Sequence, residues 1–195
     1  MNQQQPQQSV AKSSKPIKYK QKETKDVYCI SQITKSIVLP ISAIGKNLHQ
    51  TIERTIGAMV EGKCIVEGFV KIGSIRVITY SSGIIKAENV LFDVVFECEV
   101  CYPVAGMLLN CVAKNITKAG IRAESSDENP SPFVLFIARD HYYANDYFNS
   151  IEEKEKFVAR VIAQRFELND KYVSIIAELV PQKEYSMPKK PRLDI

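Results

Sequence analysis

Between Phe92 and Val100 the chain alternates: Phe92, Val94, Phe96, Cys98 and Val100 fall on one face, with Asp93, Val95, Glu97 and Glu99 between them. A period of two marks a strand with one buried face. The same period predicts an earlier strand after Glu61-Gly62, where Cys64, Val66, Gly68, Val70 and Ile72 share a face. Gly73-Ser74 breaks the phase through a bulge or a tight turn, and Ile75, Val77 and Thr79 resume it. Ser81-Ser82-Gly83 reads as a loop. Upstream the spacing changes. Ile44, Leu48, Ile52, Ile56 and Met59 form a stripe at helical spacing, predicting a helix of roughly four turns. Before it stand two short strand-like runs, Val27–Ile30 and Ser36–Leu39, the second stopped by Pro40.

Pro103 ends the alternating strand, and a second set follows. Five strands are predicted over Gly106–Ile116, Gly120–Glu124, Phe133–Ala138, Phe157–Phe166 and Tyr172–Leu179. The last two form a hairpin turning at Leu168-Asn169-Asp170-Lys171, where Asn and Asp tolerate turn dihedrals. Arg139–Lys156 leaves room for a short helix. Five strands with a long link between the third and fourth follow the plan of an OB-fold barrel. The predicted fold class is α+β, mostly β, with two small modules meeting at Pro103.

Composition adds the ends. Residues 1–26 are rich in Gln, Lys and Ser and carry +4, while 181–195 carry +2 with a Lys-Lys-Pro-Arg cluster. The net charge of the chain is +4, so the segment between them carries −2. The basicity sits in the tails, which excludes a body-wide cationic surface for gripping duplex DNA. Neither tail has enough large apolar side chains to offset its ordering entropy, and both are expected to be disordered. The predicted organisation is a basic, Gln-rich extension (1–26), a first folded module (27–102), a barrel (103–180) and a basic tail (181–195). No stretch reaches the ~20 apolar residues that cross a bilayer, and no secretory signal pattern opens the chain. An intracellular protein without membrane association is expected.

The order of these features resembles the stalk subunit of multisubunit DNA-directed RNA polymerases, the family of the seventh subunit of eukaryotic RNA polymerase II and its archaeal counterpart. The matching pieces are Glu61-Gly62-Lys63-Cys64 after an amphipathic helix, Gly68 in the next strand and Gly83-Ile84-Ile85 in a loop. The alternating strand Val90–Val100, the Pro103/Gly106 crossover and an S1-type barrel complete the set. Lys86-Ala87-Glu88 lacks the family's extra Pro and Gly, and the basic extension is atypical, as in a divergent viral member. The resemblance implies an RNP-like tip domain, a helix plus an antiparallel sheet, followed by an S1-type OB-fold barrel. It implies a non-catalytic subunit that docks near the polymerase clamp and pairs with a second small stalk subunit as a heterodimer. Its barrel would contact single-stranded nascent RNA at sites of transcription, in a nucleus, a virion or a viral factory. Docking would use Ser81–Glu88 and Leu39–Gly45, with Leu39, Pro40, Gly45, Gly83, Ile84, Ile85 and Lys86 as its residues. A free-standing S1-type RNA-binding protein of translation or RNA decay is the alternative.

OB barrels hold single strands with aromatic side chains on the sheet face and cations along the phosphates. The candidates are Lys118, Arg122, Phe136, Arg139, Tyr142, Tyr143 and Lys171. Ile121 stands where an aromatic stacker is usual in S1-type barrels. Phe136 is either a stacker or a core side chain, which alternation cannot separate. For Tyr142-Tyr143 the alternative to RNA contact is packing at the barrel mouth.

Cys98-Glu99-Val100-Cys101 invites a zinc reading, but a structural site needs four ligands and only Cys111 is near in sequence. On an extended strand the two thiols point to opposite faces, so buried, reduced thiols are expected. The two histidines, His49 and His141, have no nucleophile–base pattern beside them, and no Gly-rich phosphate loop occurs. Asp93, Glu97 and Glu99 on one strand face read as a solvated face. No enzyme activity, metal or cofactor is expected.

Overall fold

A computed structural model describes residues 26–142 and 144–181. The extension, except Asp26, and the tail beyond Pro181 lie outside the described residues, as does Tyr143. The described residues are mostly β with few helices, in two sheets. None of the described helices is long and apolar enough to cross a membrane.

The first sheet is organised by two 13-residue strands, β1 (Tyr28–Pro40) and β6 (Asn89–Cys101), paired antiparallel along their whole length. β1 is therefore one strand where the sequence predicted two short runs. Thr34 and Ser36 fall on its exposed face and interrupt the hydrophobic run without interrupting the ladder. On its other edge β6 pairs in succession with β3 (Gly68–Val70), β4 (Arg76–Tyr80) and β5 (Ile84–Lys86). β2 (Cys64–Ile65) pairs with β3 in a hairpin turning at Val66-Glu67. The expected single strand from Cys64 to Ile72 is thus a hairpin, and Val66 and Ile72 are exposed. The phase break at Gly73 is a turn. A register shift between Val77 and Thr79 supplies a bulge further on.

The even positions of β6 from Val90 to Val100 are all buried, as their alternation requires. They pack under α1 (Leu48–Val60), whose buried stripe is Ile52, Ile56 and Val60. Met59 is exposed instead, because steps of four from Ile52 carry the stripe to position 60. Fully burying a Phe or Ile side chain contributes about 1.5–3 kcal/mol. Phe96, Ile52 and Ile56 therefore anchor this core.

The second sheet is a closed barrel of β7 (Leu108–Ile116), β8 (Gly120–Ser125), β9 (Phe133–Ala138), β10 (Lys156–Arg165) and β11 (Val173–Leu179). Around the barrel the order is β7, β8, β9, β11, β10 and back to β7, with β9 and β11 parallel. This is consistent with an OB-like barrel. The link between β9 and β10 holds a short helix, α2 (Asp146–Ser150), whose Phe148 joins the barrel core.

The two cores are not divided at Pro103. Cys64, Phe69 and Cys101 of the first sheet belong to the barrel's hydrophobic cluster. The turn between β10 and β11 is bonded to β2. The Cys64 amide donates to the Asp170 carbonyl, and the Asn169 amide donates to the Cys64 carbonyl, both at 2.8 Å. Asn169 holds φ at 71°, a left-handed value that Asn tolerates. Tyr102 meets Phe166 edge-on at 6.0 Å. Lys71 bridges Glu99 at 2.8 Å and Glu128 at 3.7 Å, and lies over the Tyr28 ring.

Candidate functional site

The barrel wall formed by β8 and β9 is the face that OB barrels use for oligonucleotides, together with the loops after the first and fourth strands. Across it run four residues in register, Asn115 on β7, Arg122 on β8, Phe136 on β9 and Ile176 on β11. Phe136 is 37% exposed, so it is a wall residue and not part of the core. Ile121 is fully buried and belongs to the core, not to a stacking position. Lys118 is exposed in the loop after β7, at one end of the wall. Lys171 is exposed in the loop after β10, at the other end beside the first sheet. Arg122 lies 3.5 Å from Glu124, which also meets Lys114 at 3.5 Å, so one carboxylate sits between two cations. Lys114, Glu124 and Ile176 were missed from sequence. Cross-strand register could have found them, but register is fixed only once the barrel closes.

Arg139 and Tyr142 are placed elsewhere. The Arg139 guanidinium donates to the Thr117 carbonyl at 3.0 Å and to Asn149 Oδ1 at 3.3 Å, and it lies 5.1 Å from the centre of the Phe148 ring. Phe148 in turn stacks on Tyr142, with centroids 5.0 Å apart and planes within 5°. The Tyr142 hydroxyl accepts from the Leu179 amide at 2.8 Å. These side chains close the barrel end, tying α2 to the loop after β7.

At the far end of the first sheet, Ile84 and Ile85 are 57% and 73% exposed, with Lys86 and Pro40 beside them. Val38, Leu91 and Ile84 stand in register across β1, β6 and β5 on the face opposite α1. Two expectations need correction. Leu39 is 4% exposed and belongs to the core, because it sits on the α1 side of β1. Ile84 and Ile85 are in strand β5, not a loop, since their backbone pairs with Leu91 and Val90. Gly83 allows that strand to start: it is at φ 84°, and a Cβ there would lie 2.7 Å from Val90 and 2.8 Å from Phe92. Gly45 is exposed, with open space around it.

Cys98 belongs to the core under α1 and Cys101 to the barrel core, on opposite faces of β6. Burial pushes the Cys98 and Cys64 thiols up to about 11. It raises Cys101 and Cys111 further, which keeps all four in the neutral thiol form. Among the described residues no three His, Cys, Asp or Glu side chains could hold a metal ion.

No protein-family model matches the chain. The chain is similar to a protein of Acanthamoeba polyphaga mimivirus named "Putative DNA-directed RNA polymerase subunit L376". The two are 27% identical over 157 residues, which cover 73% of this chain and 76% of the relative.

Proposed function

We propose that this chain is a non-catalytic stalk subunit of a DNA-directed RNA polymerase, which docks near the clamp, pairs with a second small stalk subunit and contacts nascent RNA. The observation that carries this reading is a tip-bearing sheet fused to a closed five-strand barrel in a chain similar to a viral protein named as a polymerase subunit. The exposed tip of Pro40, Ile84, Ile85 and Lys86 docks on the polymerase core. Exposed apolar side chains at a sheet end are the usual material of a protein contact. The wall of Arg122 and Phe136, with Lys118 and Lys171 at its ends, holds RNA weakly and without sequence preference. Stacking on one ring and a few phosphate contacts supply that kind of binding. The protein then works where transcription occurs, in a virion or viral factory if its genome is viral.

The test is affinity purification of tagged protein. Recovery of the large polymerase subunits through residues 27–102, the tip-bearing half, is the expected result. Recovery of ribosomal subunits instead would overturn the stalk reading in favour of a free-standing RNA-binding protein.

A further inference from the structure

β1 is the end strand of its sheet, and among the described residues no other strand pairs with its outer edge. Natural proteins protect such edges with short strands, bulges, prolines or charges. β1 has 13 residues paired to β6 without a register shift, and its one proline is the last residue. Its one charge, Lys35, is half-buried on the α1 side. The open side of the edge is apolar near both ends, where Ile30 and Val38 are 70% and 58% exposed.

On its exposed face the sequence of β1 is also nearly symmetric about Thr34: Ile30 and Val38 stand four residues to either side and Gln32 and Ser36 two, while on the other face Ser31 stands against Ile37 and Ile33 against Lys35. We propose that a second copy of this chain covers the edge, with β1 pairing antiparallel to β1 about a twofold axis through Thr34. Ile30 then lies opposite Val38 of the second copy, Gln32 opposite Ser36, and Thr34 opposite Thr34. Aliphatic and Thr–Thr pairs of this kind favour pairing. Lys35 faces Ile33 rather than another Lys35. A register with any other centre separates Ile30 from Val38 and leaves one of them facing a polar residue or no residue. Thirteen paired residues give about a dozen ladder hydrogen bonds, as many as a typical stable interface carries. The axis stands perpendicular to the sheet, so the barrels leave in opposite directions. The β5 tip is on the other side of β6 and stays uncovered. This inference does not depend on the polymerase reading.

Sedimentation of the full chain tests it. The expected species has twice the 22.0 kDa chain mass. Thr34→Lys and Thr34→Glu, at an exposed position, should each sediment as monomers by placing like charges opposite each other. An equimolar mixture of the two should restore the dimer. In a Cys29→Ser background, Thr34→Cys should form an intermolecular disulfide on oxidation, because directly paired Cα atoms fall within bridging range. Ile30→Cys should not, since the twofold sets the two copies of position 30 about 27 Å apart. A wild-type monomer at ~100 μM, well above the Kd of a specific interface, would overturn the proposal. So would equal cross-linking at positions 30 and 34, or a dimer that survives Thr34→Lys, either of which would place the contact elsewhere.

Discussion

The ring of Phe136 lies across Gly120: a Cβ at position 120 would come within 2.9 Å of Phe136 Cζ and would collide with the Ile137 carbonyl oxygen. An aromatic side chain covering a glycine on the neighbouring strand protects the backbone there and fixes the ring's position. Gly120→Ala should cost about 3 kcal/mol, the upper range for overpacking, because backbone rather than a flexible side chain must move. Urea denaturation measures it. A loss below ~0.5 kcal/mol, the range of ordinary surface changes, would show that the ring and carbonyl move aside freely.

Phe136→Ala should separate binding from stability. Its ring is 37% exposed, so the truncation should cost about 1–2 kcal/mol, less than the burial of a whole ring, and leave the protein folded. Single-stranded RNA affinity should fall about tenfold, the equivalent of one lost stacking contact. Fluorescence anisotropy with an unstructured oligonucleotide is the readout, and unchanged affinity would remove the wall from RNA contact.

The cations divide into two groups that share a charge and differ in surroundings. Lys118→Glu with Arg122→Glu should weaken RNA binding and flatten its dependence on log salt by about one unit per phosphate contact removed. Melting temperature should hold. Arg139→Ala should instead lower stability by about 2 kcal/mol, through two lost hydrogen bonds and the contact with Phe148. Thermal melts and binding curves on both variants test the division. An Arg139 variant that melts like wild type would reverse it.

The same contrast marks how far the sequence could be read. Barrel strand positions were legible because apolar residues recur at period two between Gly and Asn-Asp turns. All five strands lie where periodicity puts them, and the short helix lies in the long β9–β10 link that left room for one. What periodicity lacks is partners. Nothing in the spacing of Arg139 and Tyr142 shows that Phe148 will come between them, since α2 reaches both only after the barrel closes. Leu39 misled for a simpler reason: the run Ser36–Leu39 reads as a strand stopping at Pro40, which makes Leu39 a strand end open to docking, but the ladder to β6 continues through Pro40 and Leu39 lies on its buried side. The hairpin at Val66 was hidden because both of its strands are too short to show a period.

Alkali should destabilise the protein through its buried thiols. Well below pH 9.0 the Cys64 and Cys98 thiols are protonated whether the chain is folded or not. Between pH 9.0 and about 11 the unfolded chain releases protons that the folded chain retains. Rising pH therefore favours unfolding, by up to ~1.4 kcal/mol per pH unit for each thiol. Cys98→Ala should be less stable at neutral pH because of its cavity, yet show a shallower decline across this window. Urea midpoints from pH 7 to 10.5 check it; parallel wild-type and variant curves would assign the alkaline loss to other groups.

The tip offers the sharpest contrast between neighbouring apolar residues. Ile84→Asp with Ile85→Asp changes two side chains that are mostly in water, so folding should tolerate both. Recovery of polymerase subunits with the tagged protein should nevertheless fall at least tenfold, because two charges would enter an apolar contact. Leu39→Asp, on the buried side of the same sheet end, should instead cost more than 3 kcal/mol and abolish folding at moderate temperature. Circular dichroism establishes the fold of each variant before the pull-down is compared. If the Ile84/Ile85 variant folds and still recovers polymerase subunits in full, docking runs through another surface, and the barrel or the open face of the first sheet becomes the place to look.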